Sequence, residues 1–202
     1  MRITKIFKIV LFPSFFTLFL LVAGCGEKFE LNENLQNYSF SLVDQDGKPV
    51  NFPAQYKGKI LVVGFIFTNC PDICPLTVNN MQKIQEEVGR IGAGEEVEFL
   101  AVSFDPERDS VAILKKFAEI REVNETNFRF LTGNKEAIDS LIKVMGIVAI
   151  PEDSTVVDNT ISYYFTHTDR ISLIDQDGSL RKEYSGSKID TKEIIEDIGK
   201  LR

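Results

Sequence analysis

Cys70 and Cys74 stand in the run Phe67-Thr68-Asn69-Cys70-Pro71-Asp72-Ile73-Cys74-Pro75, and His167 is the only histidine in the chain. Two thiolates and an imidazole are soft and borderline donors that favour Cu(I), and related cysteine–histidine sets also accept Cu(II). Zinc competes for such a set, because two cysteines, one histidine and a water make a zinc site. The same cysteines can instead cycle between dithiol and disulfide and act as a redox-active pair on a partner protein. A purely structural disulfide here would achieve little, because so short a loop removes little chain entropy. Only thiolates bind metal or attack disulfides, so the surroundings of the two cysteines decide which chemistry is open to them.

Those surroundings follow from the flanking segments. Lys59 to Phe67 is a nearly continuous apolar run, as expected of a strand buried on both faces of a sheet. A helix is predicted from Pro75 to about Val88, with Val78, Met81, Ile84 and Val88 along one side. The cysteines therefore sit at a helix N-terminus, where free amide N–H groups and the helix dipole favour a thiolate. Pro75 suits the first helical position, which needs no amide proton. Three residues between the cysteines widen the loop, so that the sulfurs can share a metal and still close into a disulfide.

The rest of the chain supplies a frame. Val97 to Phe104 reads as a second strand, and Asp109 or Ser110 caps a helix carrying Val111, Leu114, Phe117 and Ala118. Phe128 to Leu131 is a third strand, and Asn134 caps a helix with Ile138, Leu141, Ile142 and Met145 on one face. From Ile161 to Tyr184 the pattern becomes strand-like. Asp190 with Glu193 then forms a capping-box-like start to a last helix that buries Ile194, Ile195, Ile198 and Leu201. Asp44-Gln45-Asp46-Gly47 and Asp175-Gln176-Asp177-Gly178 each lie between apolar stretches and read as hairpin turns. A calcium loop would need Glu as its twelfth residue, and those positions hold Gln55 and Gly186. The order predicts an α/β fold: a central mixed sheet flanked by helices, with a C-terminal β-hairpin and helix. Thioredoxin-like architecture matches best, although the periodicity also fits other open α/β sheets. The abundant phenylalanine reads as core.

The N-terminus carries an address. Arg2, Lys5 and Lys8 precede an apolar run from Ile9 to Val22, which ends in Val22-Ala23-Gly24-Cys25. This is the pattern of a secretory signal peptide, and the cysteine after small residues resembles a bacterial lipoprotein signal in which Cys25 is acylated. An uncleaved signal anchor is the alternative. The reading divides the chain into a signal peptide over 1–24, a lipid anchor and polar linker over 25–37, and one domain over 38–202. The domain would face the periplasm or another extracytoplasmic space. Without Arg2, Lys5 and Lys8, 20 basic residues face 30 acidic ones, a net of about −10. Nucleic acid is a poor partner for such a surface. In an oxidising compartment the two remaining cysteines pair unless they are reduced or metallated.

The cysteine segment resembles the Sco/SenC family of copper proteins, which carry a C-P-x-x-C-P motif on a thioredoxin-like fold. The likeness extends to Val102-Ser103-Phe104-Asp105-Pro106-Glu107-Arg108-Asp109 and to Tyr164-Phe165-Thr166-His167-Thr168. It implies copper, as Cu(I) or Cu(II), held by Cys70, Cys74 and His167. It also implies delivery to the dinuclear copper centre of cytochrome c oxidase subunit II or to another exported copper protein. Family members commonly have Asp before the histidine, where this chain has Thr166. Asp105 and Asp109 fit either a turn with a helix cap or the edge of the site. Three functions compete: a copper chaperone without turnover, a thiol–disulfide oxidoreductase that reduces a partner's cysteines, and, more distantly, a thiol peroxidase. Thioredoxin-like enzymes place a cis-proline opposite the dithiol. No proline follows Pro151 here, so the His167 segment takes that region and favours metal.

Overall fold

The computed structural model describes Phe29, Leu31 and residues 33–152, 155–157, 160–162 and 164–202. The signal segment and Cys25 lie outside these residues. In chain order the elements are β1 (Glu33–Asn34), β2 (Phe40–Asp44), β3 (Pro49–Phe52), β4 (Ile60–Ile66), α1 (Ile73–Arg90), β5 (Val97–Ser103), α2 (Val111–Ile120) and β6 (Phe128–Gly133). There follow α3 (Lys135–Val144), β7 (Ala149–Pro151), β8 (Thr155–Val157), β9 (Thr160–Ser162), β10 (Phe165–His167), β11 (Ile171–Ile174), β12 (Ser179–Tyr184) and α4 (Thr191–Leu201).

Burial on both faces explains the middle of the sheet. All seven residues of β4 are buried, and it lies parallel to β5, which lies parallel to β6. The strand order is β1-β12-β11-β4-β5-β6-β2-β3, with the outer strands antiparallel to their neighbours. This is the mixed, helix-flanked α/β sheet expected from the sequence. Val78, Met81, Ile84 and Val88 of α1 are fully buried, as are Leu114 of α2, Ile138 of α3 and Ile194 and Ile198 of α4. Ser110 and Asn134 cap α2 and α3 by accepting from the N–H groups of Ile113 and Ala137. Both Asp-Gly segments turn hairpins, with Gly47 and Gly178 at φ of 77° and 72°, a conformation open chiefly to glycine. Asp44 and Asp175 each accept two backbone N–H groups across their turns.

The structure departs from the sequence reading in three places. The packed domain begins ahead of residue 38: Leu35 is buried at 2 % exposure, and β1 pairs with β12. Apolar Leu31 and Leu35 are embedded among polar neighbours, so composition alone reads as a spacer. The strand-like stretch from Ile161 is divided, for only β11 and β12 join the main sheet. β10 pairs instead with β7, setting His167 opposite Ala149, while β8 and β9 form a separate pair. The capping box of α4 is half made. Asp190 accepts from the Lys192 N–H, but Glu193 binds the Lys182 ammonium at 2.8 Å.

Two carboxylates, the half-buried Asp169 and the buried Asp197, fasten the C-terminal part. Asp169, just beyond β10, accepts from the Ser187 N–H at 2.9 Å, the Ser187 hydroxyl at 2.6 Å and the Ser185 hydroxyl at 3.0 Å. Gly186 is threaded between these donors, and a Cβ there would lie 2.6 Å from Asp169 Oδ1 and 2.8 Å from Thr77 Oγ1. Asp197 of α4 is 3 % exposed and accepts from Lys182, Lys200 and Tyr184. Burial opposes ionisation of Asp197, but those three donors outweigh it and hold the carboxyl below its ordinary value. Gly186→Ala should lower stability by about 1–3 kcal/mol through overpacking, read as a shift in urea midpoint. A carboxyl whose folded pKa is depressed contributes stability that is present above its unfolded value, near 4, and lost as pH falls through the folded value. Asp197→Asn should therefore destabilise the domain at neutral pH and flatten its acid-unfolding curve below about pH 4.

Candidate metal centre

The segment leaving β4 is bent around the first turn of α1, which starts at Ile73, two residues earlier than the periodicity suggests. This places Cys74 inside the helix and fully buried, with Cys70 half-buried in the loop before it. The Phe67 N–H points at Cys74 Sγ at 3.4 Å, and the Cys74 N–H points at Cys70 Sγ at 3.4 Å. The loop is held from behind by Asp109, 1 % exposed, which accepts from the Thr68 N–H at 3.0 Å, from the Thr68 hydroxyl and from the Ser103 hydroxyl at 2.6 Å. Of the two roles open to Asp109, a helix cap or the edge of the site, the structure places it at the edge of the site. Ser110 caps α2, and Asp109 ties the cysteine loop to the end of β5. The Asp105 carbonyl accepts the N–H groups of Arg108 and Asp109 in a turn, and its carboxylate faces Arg108 at 3.5 Å. Burial pushes the Asp105 carboxyl up, against the pull of that guanidinium.

His167 arrives from the other side on β10. Its Nε2 lies 3.8 Å from Cys74 Sγ, and its Nδ1 lies 3.1 Å from the Thr168 carbonyl oxygen. A proton on Nδ1 donated to that carbonyl leaves the Nε2 lone pair facing the sulfurs, the arrangement that orients ligand histidines. One ligand atom from each of Cys70, Cys74 and His167 lies within 4.8 Å of the others, the only such group among the described residues. The sequence reading missed the wall around the ring. Phe104 lies tilted against the imidazole at 5.1 Å, Phe67 meets it edge-on at 6.0 Å, and Phe165 packs on both phenyl rings at 5.2 and 5.1 Å. All three lie within or beside the segments that carry the chemistry, and that was their only signal. Thr166 is exposed and donates its hydroxyl to the Glu152 carboxylate, so an acid stands beside it from across the β7–β10 ribbon.

The electrostatics are those of three groups sharing too few protons. The bond from the Cys74 thiol, opposed by burial and helped by His167 and the N–H groups of Cys74 and Asp72, pulls Cys70 down to about 3. The same bond, together with burial, pushes Cys74 far up, with only the Phe67 N–H working against it. His167 is raised, first of all by its bond with the Cys70 thiolate. The apo site is thus a thiolate, a thiol and a basic imidazole, and a soft cation would replace the shared proton while satisfying all three donors. The donor set fits copper. Exposed Pro71 and Asp72 leave Cys70 an approach from solvent.

Comparison with known proteins agrees with this arrangement. The SCO1/SenC family pattern matches residues 30–202. The SCO1 protein homolog of Bacillus subtilis is 33 % identical over 175 residues, which cover 84 % of each chain. A SCO1/SenC family lipoprotein from Bacillus anthracis superposes with a TM-score of 0.72 at 30 % identity, over 87 % of this chain and 98 % of that one. Bradyrhizobium japonicum ScoI, solved with copper bound, superposes with a TM-score of 0.69 at 26 % identity, over 82 % and 98 %. With the family pattern running through the whole described domain, and the curled sheet shared with its solved members, this chain belongs to the SCO1/SenC family.

Proposed function

We propose that the protein is an exported, membrane-attached copper chaperone that supplies the copper centre of cytochrome c oxidase, with Cys70, Cys74 and His167 as its ligands. The observation that carries this reading is the convergence of the chain's only histidine on a buried thiol, across 93 positions of sequence. A dithiol enzyme has no need of that histidine. The relatives support the assignment: one is described with copper bound, and another as a member of a family of cytochrome c oxidase assembly proteins. Copper is cargo here. Cys74 and His167 hold it from within, and half-buried Cys70 forms the side at which a partner's thiolate can enter. Three ligands leave room for such exchange, so the ion passes without being released into solution.

The second reading, a thiol–disulfide reductase, has its own observation. A thiolate at Cys70 beside a protonated Cys74 is the state that attacks a partner's disulfide. A solved relative is described as having a disulfide switch. Attachment at an acylated Cys25 rests on the small-residue box before it and on the relative described as a lipoprotein.

The reduced protein should bind one copper per monomer, and the disulfide form none at this site. Cys70→Ser and Cys74→Ser should weaken Cu(I) binding more than His167→Ala does, because thiolates are the softer ligands. Competition titrations between about pH 5 and pH 8 should show affinity rising with pH, since Cys74 and His167 must both lose protons they hold more tightly than usual. Unchanged Cu(I) and Cu(II) affinity in His167→Ala would remove the histidine from the site.

Chaperone and reductase separate in cells. A strain lacking the protein should assemble copper-dependent oxidase poorly when copper is scarce, recover with added copper, and fail to recover with the His167→Ala variant. Recovery with a small reductant alone, together with a working His167→Ala variant, would favour the reductase.

A further inference from the structure

The N-terminal strand fixes which way the domain faces. β12 runs alongside β11, with Tyr184 paired to Ile171, and Ile171 in turn is level with Gly64 of β4. The Tyr184 end of β12 is therefore the end of the sheet at which β4 hands over to the cysteine loop. β1 is antiparallel to β12, with Glu33 opposite Leu180 and Asn34 opposite Ser179. Read towards the N-terminus, the chain climbs back along β12 to the metal-site end. The Leu31 N–H donates to the Arg181 carbonyl at 3.2 Å, and the Arg181 guanidinium lies 5.6 Å from the centre of the Phe29 ring. Between Cys25 and Phe29 only Gly26, Glu27 and Lys28 intervene, a reach of roughly 14 Å when fully extended. Sideways, β1 is three strand spacings from β4, again roughly 14 Å.

The same end carries exposed apolar side chains. Leu76 follows Cys74 on the first turn of α1, and Val148 and Ile150 flank Ala149, the residue opposite His167. Tyr164 leads into β10. These four are 45 %, 48 %, 56 % and 48 % exposed. The start of β4 is the opposite end, where Lys57 and Gly58 are exposed and the Gly58 N–H donates to the Gln176 carbonyl at 3.0 Å.

From the short tether, its direction and this rim, we infer that the domain rests with its metal-site end against the lipid surface, Leu76, Val148, Ile150 and Tyr164 forming the contact. Aliphatic and tyrosine side chains suit the headgroup boundary. The inference rests on the membrane attachment proposed above and gives it an orientation. An acidic domain with Asp72 and Glu152 near the rim is suited to a zwitterionic surface rather than an anionic one.

The test uses the full, acylated chain on phosphatidylcholine nanodiscs that contain a gadolinium-chelate lipid, with amide relaxation read by NMR. Relaxation enhancement falls steeply with distance, and the far end is roughly 23 Å further away along the seven residues of β4. The amides of Leu76, Val148, Ile150 and Tyr164 should be enhanced several-fold more than those of Lys57, Gly58, Gln176 and Asp177. Ile150→Asp with Tyr164→Asp should reduce that contrast and leave copper stoichiometry unchanged. An acylated, disc-bound chain with equal enhancement at both ends, or with the reverse pattern, overturns the inference and leaves the rim to a protein partner. A chain whose mass shows no acyl group and which stays off the disc removes the attachment itself, and the orientation with it.

Discussion

The metal centre depends on how one buried carboxylate is satisfied. Asp109 lies almost wholly out of water, so each of its hydrogen bonds carries the weight of the desolvation it offsets. Its donors come from Thr68, two residues before Cys70, and from Ser103, the last residue of β5. The end of β5 is thereby joined to the loop that bears Cys70 and leads into Cys74. With that loop fixed, Cys74 can sit at full burial in the helix, and its sulfur can receive the Phe67 N–H. An aromatic wall of Phe67, Phe104 and Phe165 then closes over the imidazole and lowers the local dielectric. Bonds among the two sulfurs and the ring gain strength for the same reason.

The arrangement balances two chemistries with one set of atoms. Cys70 is held as a thiolate largely because Cys74 donates to it, so the nucleophile and the resting proton are created together. Neither thiol can be described alone, since the proton belongs to the pair. Metal entry and disulfide formation both displace that proton, and so they exclude one another. His167 would separate them, because it can offer copper a third donor and adds nothing to a disulfide.

Much of the fold was legible in the sequence, and for local reasons. Caps, turns and amphipathic faces are written in consecutive residues, so Ser110, Asn134, Asp190 and the two Asp-Gly turns announced themselves. The three candidate ligands were legible because their types are rare in this chain. What escaped was encoded at long range. β7 is three residues long and has no alternation of its own; only its pairing with β10 makes it a strand. Asp109 reads equally as a cap or as the edge of the site, because its sequence neighbours suit both, and only the side-by-side packing of β4 and β5 fixes its partners. Glu193 completes a capping motif on paper, but a lysine on β12 offers a charged partner and takes it. Phe67, Phe104 and Phe165 are indistinguishable from core phenylalanines until β10 brings an imidazole among them.

The strand order also governs when such a chain can become a protein. Central β4 takes one neighbour, β5, from nearby sequence, but its other neighbour, β11, comes from more than a hundred residues later. β1, near the start, waits for β12, near the end. Contacts of such sequence separation form late and slowly. A chain threaded outward across a membrane from its N-terminus would therefore carry both cysteines outside, unsheltered, before the strands that cover them had emerged. Through that interval Cys70 and Cys74 would meet the oxidants of the compartment as an ordinary unfolded dithiol. Newly exported molecules would then close the disulfide first, and need reduction before they could take up their first ion.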